Sequence, residues 1–247
     1  MTRVTDPAVE LSIIIPAFNE AALIGSTVRA CAAAGAAVGG GHEVIVVDDD
    51  STDDTAALAE AAGARVVHVA HRQIAATRNA GAAAARGRWL AFCDADTHLP
   101  AATLVTAVGA LQRGFVAAGA TVSFDGDATP ATRLSAELWN LIARLRRWVA
   151  GSFVAVQRDA FEAVGGFDDR YFAAEEIQLS KALAALGRIA IVGPSVVTSS
   201  RKLRTHAWTQ HWSVLMRVIA TRGKALQRRE GLGLWYDGQR EAAVESS

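Results

Sequence analysis

Trp89-Leu90-Ala91-Phe92-Cys93-Asp94-Ala95-Asp96-Thr97 joins an apolar run to two aspartates spaced two residues apart. The run reads as a buried strand, and such a strand has no structural need to end in acids. A carboxylate wants water or a cation, and burying one unpaired is costly. Residues two apart at a strand end can point the same way. Asp94 and Asp96 can therefore share one hard divalent cation, Mg²⁺ or Mn²⁺, and hold it against the phosphates of a nucleotide. The plainer alternative is a polar strand end that opens the next loop, with Asp96 or Thr97 capping the helix after Pro100. The motif alone leaves both open.

Upstream, the same design repeats. Leu11-Ser12-Ile13-Ile14-Ile15, closed by Pro16, reads as a strand buried on both faces. Asn19-Glu20 opens an alanine-rich helical stretch to about Ala37, broken by Gly39-Gly40-Gly41. Glu43 to Val47 is a second strand ending in Asp48-Asp49-Asp50, with Ser51 or Thr52 placed to cap the next helix. Arg65 to Val69 is a third strand. A helix from about Ile74 to Arg86 ends at Gly87, ahead of the quoted strand. Alternating strand and helix predicts right-handed βαβ units and a Rossmann-like, mostly parallel sheet flanked by helices. Downstream, helix is expected over Pro100–Gln112, Thr132–Val149 and Glu175–Leu186. Strand is expected over Phe115–Phe124, Ser152–Val156 and Arg188–Val192. With no internal repeat and no linker, the expected organisation is a polar segment 1–10, one α/β domain over 11–200, and a basic segment with a helical extension over 201–247.

The chain has 247 residues and is 51% hydrophobic, enough for a sizeable core. Its 25 Lys and Arg match 25 Asp and Glu, which argues against a bulk nucleic-acid binder. Two cysteines provide neither a disulfide framework nor a zinc spacing, which fits a reducing compartment. The first ten residues are polar, unlike a signal peptide, and no apolar run is long enough to span a bilayer. A soluble cytoplasmic protein is expected.

In a parallel α/β sheet, ligands bind beyond the carboxyl ends of the strands. Those ends carry Pro16-Ala17-Phe18-Asn19-Glu20, Asp48-Asp49-Asp50 and Asp94-Ala95-Asp96. Five aspartates at two strand ends would repel one another without a cation or hydrogen-bond donors. Helix-start placement explains one or two of them, not all five. Arg78 on the preceding helix can fork onto a phosphate or ribose, or can be a solvent-facing cation. Glu175-Glu176 are ordinary first-turn acids, or supply a general base. Arg201, Lys202, Arg204 and His206 form a solvated basic loop, or a segment closing over a diphosphate, with His206 able to complete a metal shell. Beyond them, Trp208, Trp212, Leu215 and Ile219 keep a helical stripe that suits packing or peripheral contact with an anionic membrane face.

These residues together resemble glycosyltransferase family 2, which has the GT-A fold. The resemblance runs in family order through Ser12–Glu20, Val47–Thr55, Arg78-Asn79-Ala80-Gly81, Trp89–Asp96, Gly151–Val156, Gly165-Gly166-Phe167-Asp168 and Glu175-Glu176, over about residues 11 to 192. It implies an inverting hexosyltransferase that uses a nucleotide-diphosphate sugar and a divalent metal. By position, it implies that Pro16, Phe18 and Glu20 line the nucleoside pocket, that Asp49 hydrogen-bonds the base, and that Arg78 sits near the nucleoside or diphosphate. Asp94 and Asp96 become the D-x-D pair, with Asp96 the direct ligand. Glu176 aligns with a catalytic acid that is usually Asp, with Glu175 as the fallback. The Gln-x-x-Arg-Trp motif of processive members is absent, which implies single addition. The acceptor, whether small molecule, lipid-linked or glycan, is not readable. Two other readings stand beside this one. A nucleotidyltransferase of related fold would carry a glycine-rich basic loop where this chain has Ala17-Phe18-Asn19-Glu20. A non-catalytic sugar-nucleotide binder would keep the fold without turnover.

Overall fold

The β-branched run of β1 (Val9–Ala17) forms the middle of a sheet because both its faces find apolar cover. Residues 8–126 and 129–199 are described by the computed structural model. The elements that follow β1 are α1 (Ile24–Val38), β2 (Gly41–Asp49), α2 (Thr55–Ala61), β3 (Arg65–Val69), α3 (Ile74–Ala84) and β4 (Trp89–Cys93). Then come β5 (Thr97–His98), α4 (Ala101–Gln112), β6 (Ala117–Phe124), α5 (Pro130–Arg146), β7 (Phe153–Gln157), α6 (Arg158–Ala163), α7 (Glu175–Leu186) and β8 (Ile189–Thr198). The expected basic segment and extension over 201–247 lie outside the described residues.

The strands form one eight-stranded sheet in the order β3-β2-β1-β4-β7-β6-β8-β5. β1 pairs in parallel with β2 and β4, β2 with β3, and β6 with β8. β7 runs antiparallel to β4 and β6, and β5 antiparallel to β8. β1, β2, β3, β4, β6 and β8 therefore share one direction, and their carboxyl ends collect along one edge. Pro16 fits this central strand because the β1–β4 ladder stops at Ile14↔Phe92, before the proline's missing N–H would interrupt it.

Period-two alternation divides the core. Ile13, Ile15, Val44, Val46 and Ala91 pack with Ile24 and Val28 of α1 and Leu104 and Val108 of α4. Ile14, Ile45, Val47, Leu90 and Phe92 face the other way, toward Ala75 of α3, Phe161 of α6 and Leu179 and Leu183 of α7. On that side Phe92 meets Phe161 and Phe167 at ring-centroid separations of 5.3 and 5.0 Å, a rigid floor behind the end of β4.

Several local expectations shift. Ser51 and Thr52 do not cap α2. The Asn19 N–H donates to Ser51 Oγ at 3.0 Å, and the Thr52 N–H donates to Asn19 Oδ1 at 2.8 Å, tying the β1 and β2 loops together. Asp53 accepts the Thr55 N–H instead, at 3.0 Å. α1 begins only at Ile24, after a turn in which Asn19 has φ of 51°. β8 runs on to Thr198 because β6 and β5 both pair with its far half. β5 and α6, with two and six residues, are too short to show a period.

Gly87 does more than end α3. A Cβ there would lie 2.6 Å from Ser12 N and 2.7 Å from Leu11 C, both backbone atoms of the central strand. Gly87→Ala should cost about 1–3 kcal/mol by overpacking. Urea unfolding should show this as a lower midpoint at unchanged slope.

Candidate functional site

The shared carboxyl edge gathers the polar strand ends. Asn19, Asp50, Arg72 and Ala174 are non-glycine residues there with positive φ, from 50° to 62°. Such conformations cost energy and persist where surrounding contacts enforce them, so their concentration on one edge marks a built site.

At the end of β2, Asp48 and Asp49 face opposite ways. The expected base contact by Asp49 is not what the geometry offers, because the chain itself uses both of that residue's oxygens. Oδ1 accepts the His71 and Arg72 N–H groups at 2.7 and 2.8 Å. Oδ2 accepts the Gln73 N–H at 3.2 Å and the Thr77 hydroxyl at 2.7 Å. Asp49 thus fixes the turn into α3. Asp48 is also buried, with Oδ2 at 3.3 Å from His68 Nδ1. Its Oδ1 has no hydrogen-bond partner among the described residues. A buried acceptor without a donor is costly unless a ligand supplies one.

Beside it, the Arg72 guanidinium lies over the half-buried Phe18 ring, 3.4 Å from the centroid. Arg72 was missed from sequence because nothing local distinguishes it from a solvated loop cation. Pro16 is buried within β1. Glu20 is buried as well, its N–H donating to Thr55 Oγ1 at 2.8 Å.

Arg78 is not a solvent-facing cation. Its side chain is 4% exposed. Nη1 pairs with Glu175, and Nη2 donates to Asp94 Oδ1 at 2.8 Å and to the Gly151 carbonyl at 2.9 Å. One guanidinium thus joins α3, the end of β4, the start of β7 and the start of α7. Neighbouring side chains brace the arrangement. Gln73 Nε2 donates to the Tyr171 carbonyl at 2.7 Å, and Asn79 holds Phe167 by both its N–H and its carbonyl, at 3.0 and 2.8 Å.

Glu176 completes this cluster. A Cβ on Gly151 would lie 3.6 Å from Glu176 Cδ and 3.7 Å from Arg78 Nη2, so the carboxyl and guanidinium converge on that glycine. Burial pushes the Glu176 carboxyl up to about 8, and the negative charge of Glu175 adds to the rise while Arg78 opposes it. Two adjacent acids in one environment thus differ in kind: Glu175 is committed to Arg78, and Glu176 holds its proton at neutral pH.

Asp96, two residues beyond Asp94, is buried as well. It lines a cavity of about 210 Å³ with Thr27, His98, Asp125, Thr198 and Ser199. Asp125 is not among the residues singled out from the sequence. The signal for it was available, since it too follows a strand end, that of β6. Among the described residues no three His, Cys, Asp or Glu side chains converge as a ready metal cage. The hard oxygens of Asp94 and Asp96 nevertheless fit Mg²⁺ or Mn²⁺, because such ions commonly take one or two carboxylates and fill the remaining positions with water and substrate phosphates. Arg201, Lys202, Arg204 and His206 lie outside the described residues.

A Rossmann-like sheet with acidic strand ends on one edge, interrupted by one antiparallel strand, defines the GT-A class. Residues 12–165 match the model of glycosyl transferase family 2, and the chain belongs to that family. No curated protein matches it. Among solved structures, S. aureus TarS 1-349 superposes with a TM-score of 0.60 at 16% identity, over 78% of this chain and 61% of that one. The chain therefore spans less than two thirds of TarS 1-349. The mannosyltransferase PcManGT from Pyrobaculum calidifontis, in complex with GDP-Man and Mn2+, gives 0.62 at 21% identity, covering 95% of this chain and 74% of its own. Glucosyl-3-phosphoglycerate synthase from Mycobacterium tuberculosis, in complex with Mn2+, UDP-Glc and phosphoglyceric acid, gives 0.61 at 24%, covering 86% and 78%. Among the described residues no helix is long and apolar enough to cross a membrane.

Proposed function

We propose that this chain transfers a sugar from a nucleotide-diphosphate sugar to an acceptor hydroxyl, inverting the anomeric centre with the help of Mg²⁺ or Mn²⁺. The observation that carries the reading is Glu176, a half-buried residue whose carboxyl is raised to about 8 on the same edge as Asp94 and Asp96. Sugar-nucleotide and Mn2+ complexes of two chains with the same fold support it.

In this scheme Phe18, stacked by Arg72, forms a platform for the base, and the free oxygen of Asp48 rather than Asp49 takes a base N–H. Asp94 and Asp96 would hold the metal, which when bound offsets charge on the departing diphosphate. Glu176, once ionised, removes the acceptor hydroxyl's proton. The acceptor oxygen bonds to the anomeric carbon as that carbon's bond to the diphosphate oxygen breaks, and the proton stays on Glu176. Arg78 acts behind the reacting atoms, holding Asp94 and Glu175 in place.

Asp96→Asn tests the donor half. Calorimetry with a nucleoside diphosphate and Mn²⁺ should show loss of the metal-dependent binding at an unchanged melting temperature. Equal wild-type affinity in Mn²⁺ and in EDTA would remove the metal from the scheme.

A further inference from the structure

α5 carries an apolar ridge that the fold does not use. Leu134, Leu138, Leu141 and Leu145 are 71%, 58%, 55% and 74% exposed. At 3.6 residues per turn they fall within about 60° of one another. The opposite side of the helix is seated: Ala136, Asn140 and Ala143 are buried, and the Asn140 amide bonds the Val122 backbone through both its oxygen and its nitrogen, at 2.8 and 2.9 Å. The helix therefore cannot roll to hide its leucines without breaking that pair.

The ridge is flanked by cations. Arg133 and Arg144 lie on one side and Arg146 on the other, all exposed, with Arg147 following, and Glu137 is the helix's one acid. We propose that α5 docks on an anionic lipid surface, its leucines entering the headgroup boundary and its arginines meeting lipid phosphates. An apolar stripe bordered by Arg is the pattern of a helix lying in the membrane plane. Charge selects this occupant over two others. A second copy would bring one Arg-flanked ridge against another. Residues 200–247 are themselves basic, with Arg201, Lys202, Arg204, Arg228 and Arg229. A basic segment is a poor partner for a ridge bordered by arginines.

The placement bears on the acceptor. Past Arg147 the chain reaches Gly151, whose carbonyl receives Arg78 and whose Cα faces Glu176. A surface bound at α5 lies within a few residues of the reacting edge, which suits an acceptor hydroxyl on a membrane-held amphiphile. This last step rests on the proposed transfer reaction; the docking itself does not.

Flotation of the full chain with phosphatidylcholine vesicles, with and without phosphatidylglycerol, reads docking in the absence of nucleotide. The wild type should float with the anionic vesicles only, and less so at high salt. Leu138→Ser/Leu141→Ser should weaken this by about tenfold or more with the melting temperature unchanged, since both side chains are exposed. Three results would overturn the proposal: no anionic-vesicle binding by the wild type, unchanged binding by the double variant, or a lowered melting temperature in that variant, which would mean the chain itself covers the ridge. A dimer that the double variant dissolves would assign the ridge to a second copy instead.

Discussion

Glu176→Gln should retain donor binding and lose roughly 10²–10⁴-fold in transfer rate, the size of a general-base contribution. Gln keeps the shape and hydrogen bonding of the side chain but cannot take a proton. The pH dependence sharpens the test. Glu176 is pushed up to about 8 from 4.5, so wild-type kcat/KM should rise with pH toward a plateau past about 8, and the residual activity of the Gln variant should lack that limb. Stability moves the other way. The folded state keeps a proton that the unfolded chain releases between pH 4.5 and about 8. The contribution is therefore fully present below about 4.5 and is lost as pH rises through about 8. Gln carries no charge to bury, so the variant should melt higher than wild type above pH 8. An ordinary first-turn acid would behave oppositely, since its removal weakens the helix start slightly at all pH values where it is ionised. Glu175→Gln separates the neighbours. It removes a charge that raises Glu176, so the kcat/KM limb should move to lower pH while the melting temperature falls with the broken Arg78 pair. Near-normal turnover in both variants would take the pair out of the mechanism.

The sheet was legible because its information is local. β1, β2 and β4 are continuous apolar runs with acids at their ends, and each helix between them is bounded by a glycine or a polar turn. Asp94 and Asp96 stood out as acids closing an apolar strand, whereas Glu175-Glu176 read by themselves as ordinary first-turn acids and drew a catalytic role only from the family resemblance. What the sequence could not show is which partners those residues find across the fold. Asp49 looked available for a ligand, yet four donors from the turn into α3 fill it, and the open oxygen belongs to Asp48 one residue earlier. The difference is a strand's alternation of faces, which fixes direction only once the neighbours of each face are known. Arg78 looked like a ligand contact or a surface charge. It is no surface charge, because its partners Asp94, Gly151 and Glu175 are 16, 73 and 97 residues away. Arg72 carries no local pattern at all, and only the convergence of strand ends gives it a place.

Arg78→Met should be the most damaging single change to the fold. It keeps most of the side-chain volume but leaves the buried Glu175 and the partly buried Asp94 without their cation. Removing one partner of a buried ion pair costs about 3–5 kcal/mol, because the carboxylate left behind remains out of water with nothing to offset its charge. The Gly151 carbonyl also loses its donor. At about 2–4 °C per kcal/mol for a chain of this size, the melting temperature should fall by roughly 6–20 °C. The pH response identifies the cause. Without the guanidinium the two carboxylates lose the charge that offsets theirs, a cost that exists only where they are ionised. The gap to wild type should therefore be narrower near pH 4 than at pH 7. Arg78→Lys keeps the charge but offers one compact ammonium where two fork nitrogens reach Glu175 and Asp94 separately, so it should recover only part of the loss. It also supplies a folded comparison if the Met variant does not fold at neutral pH. A deficit equal at both pH values would point to packing rather than charge, and wild-type stability in both variants would remove Arg78 as the joint between the D-x-D strand and the helix that carries Glu176.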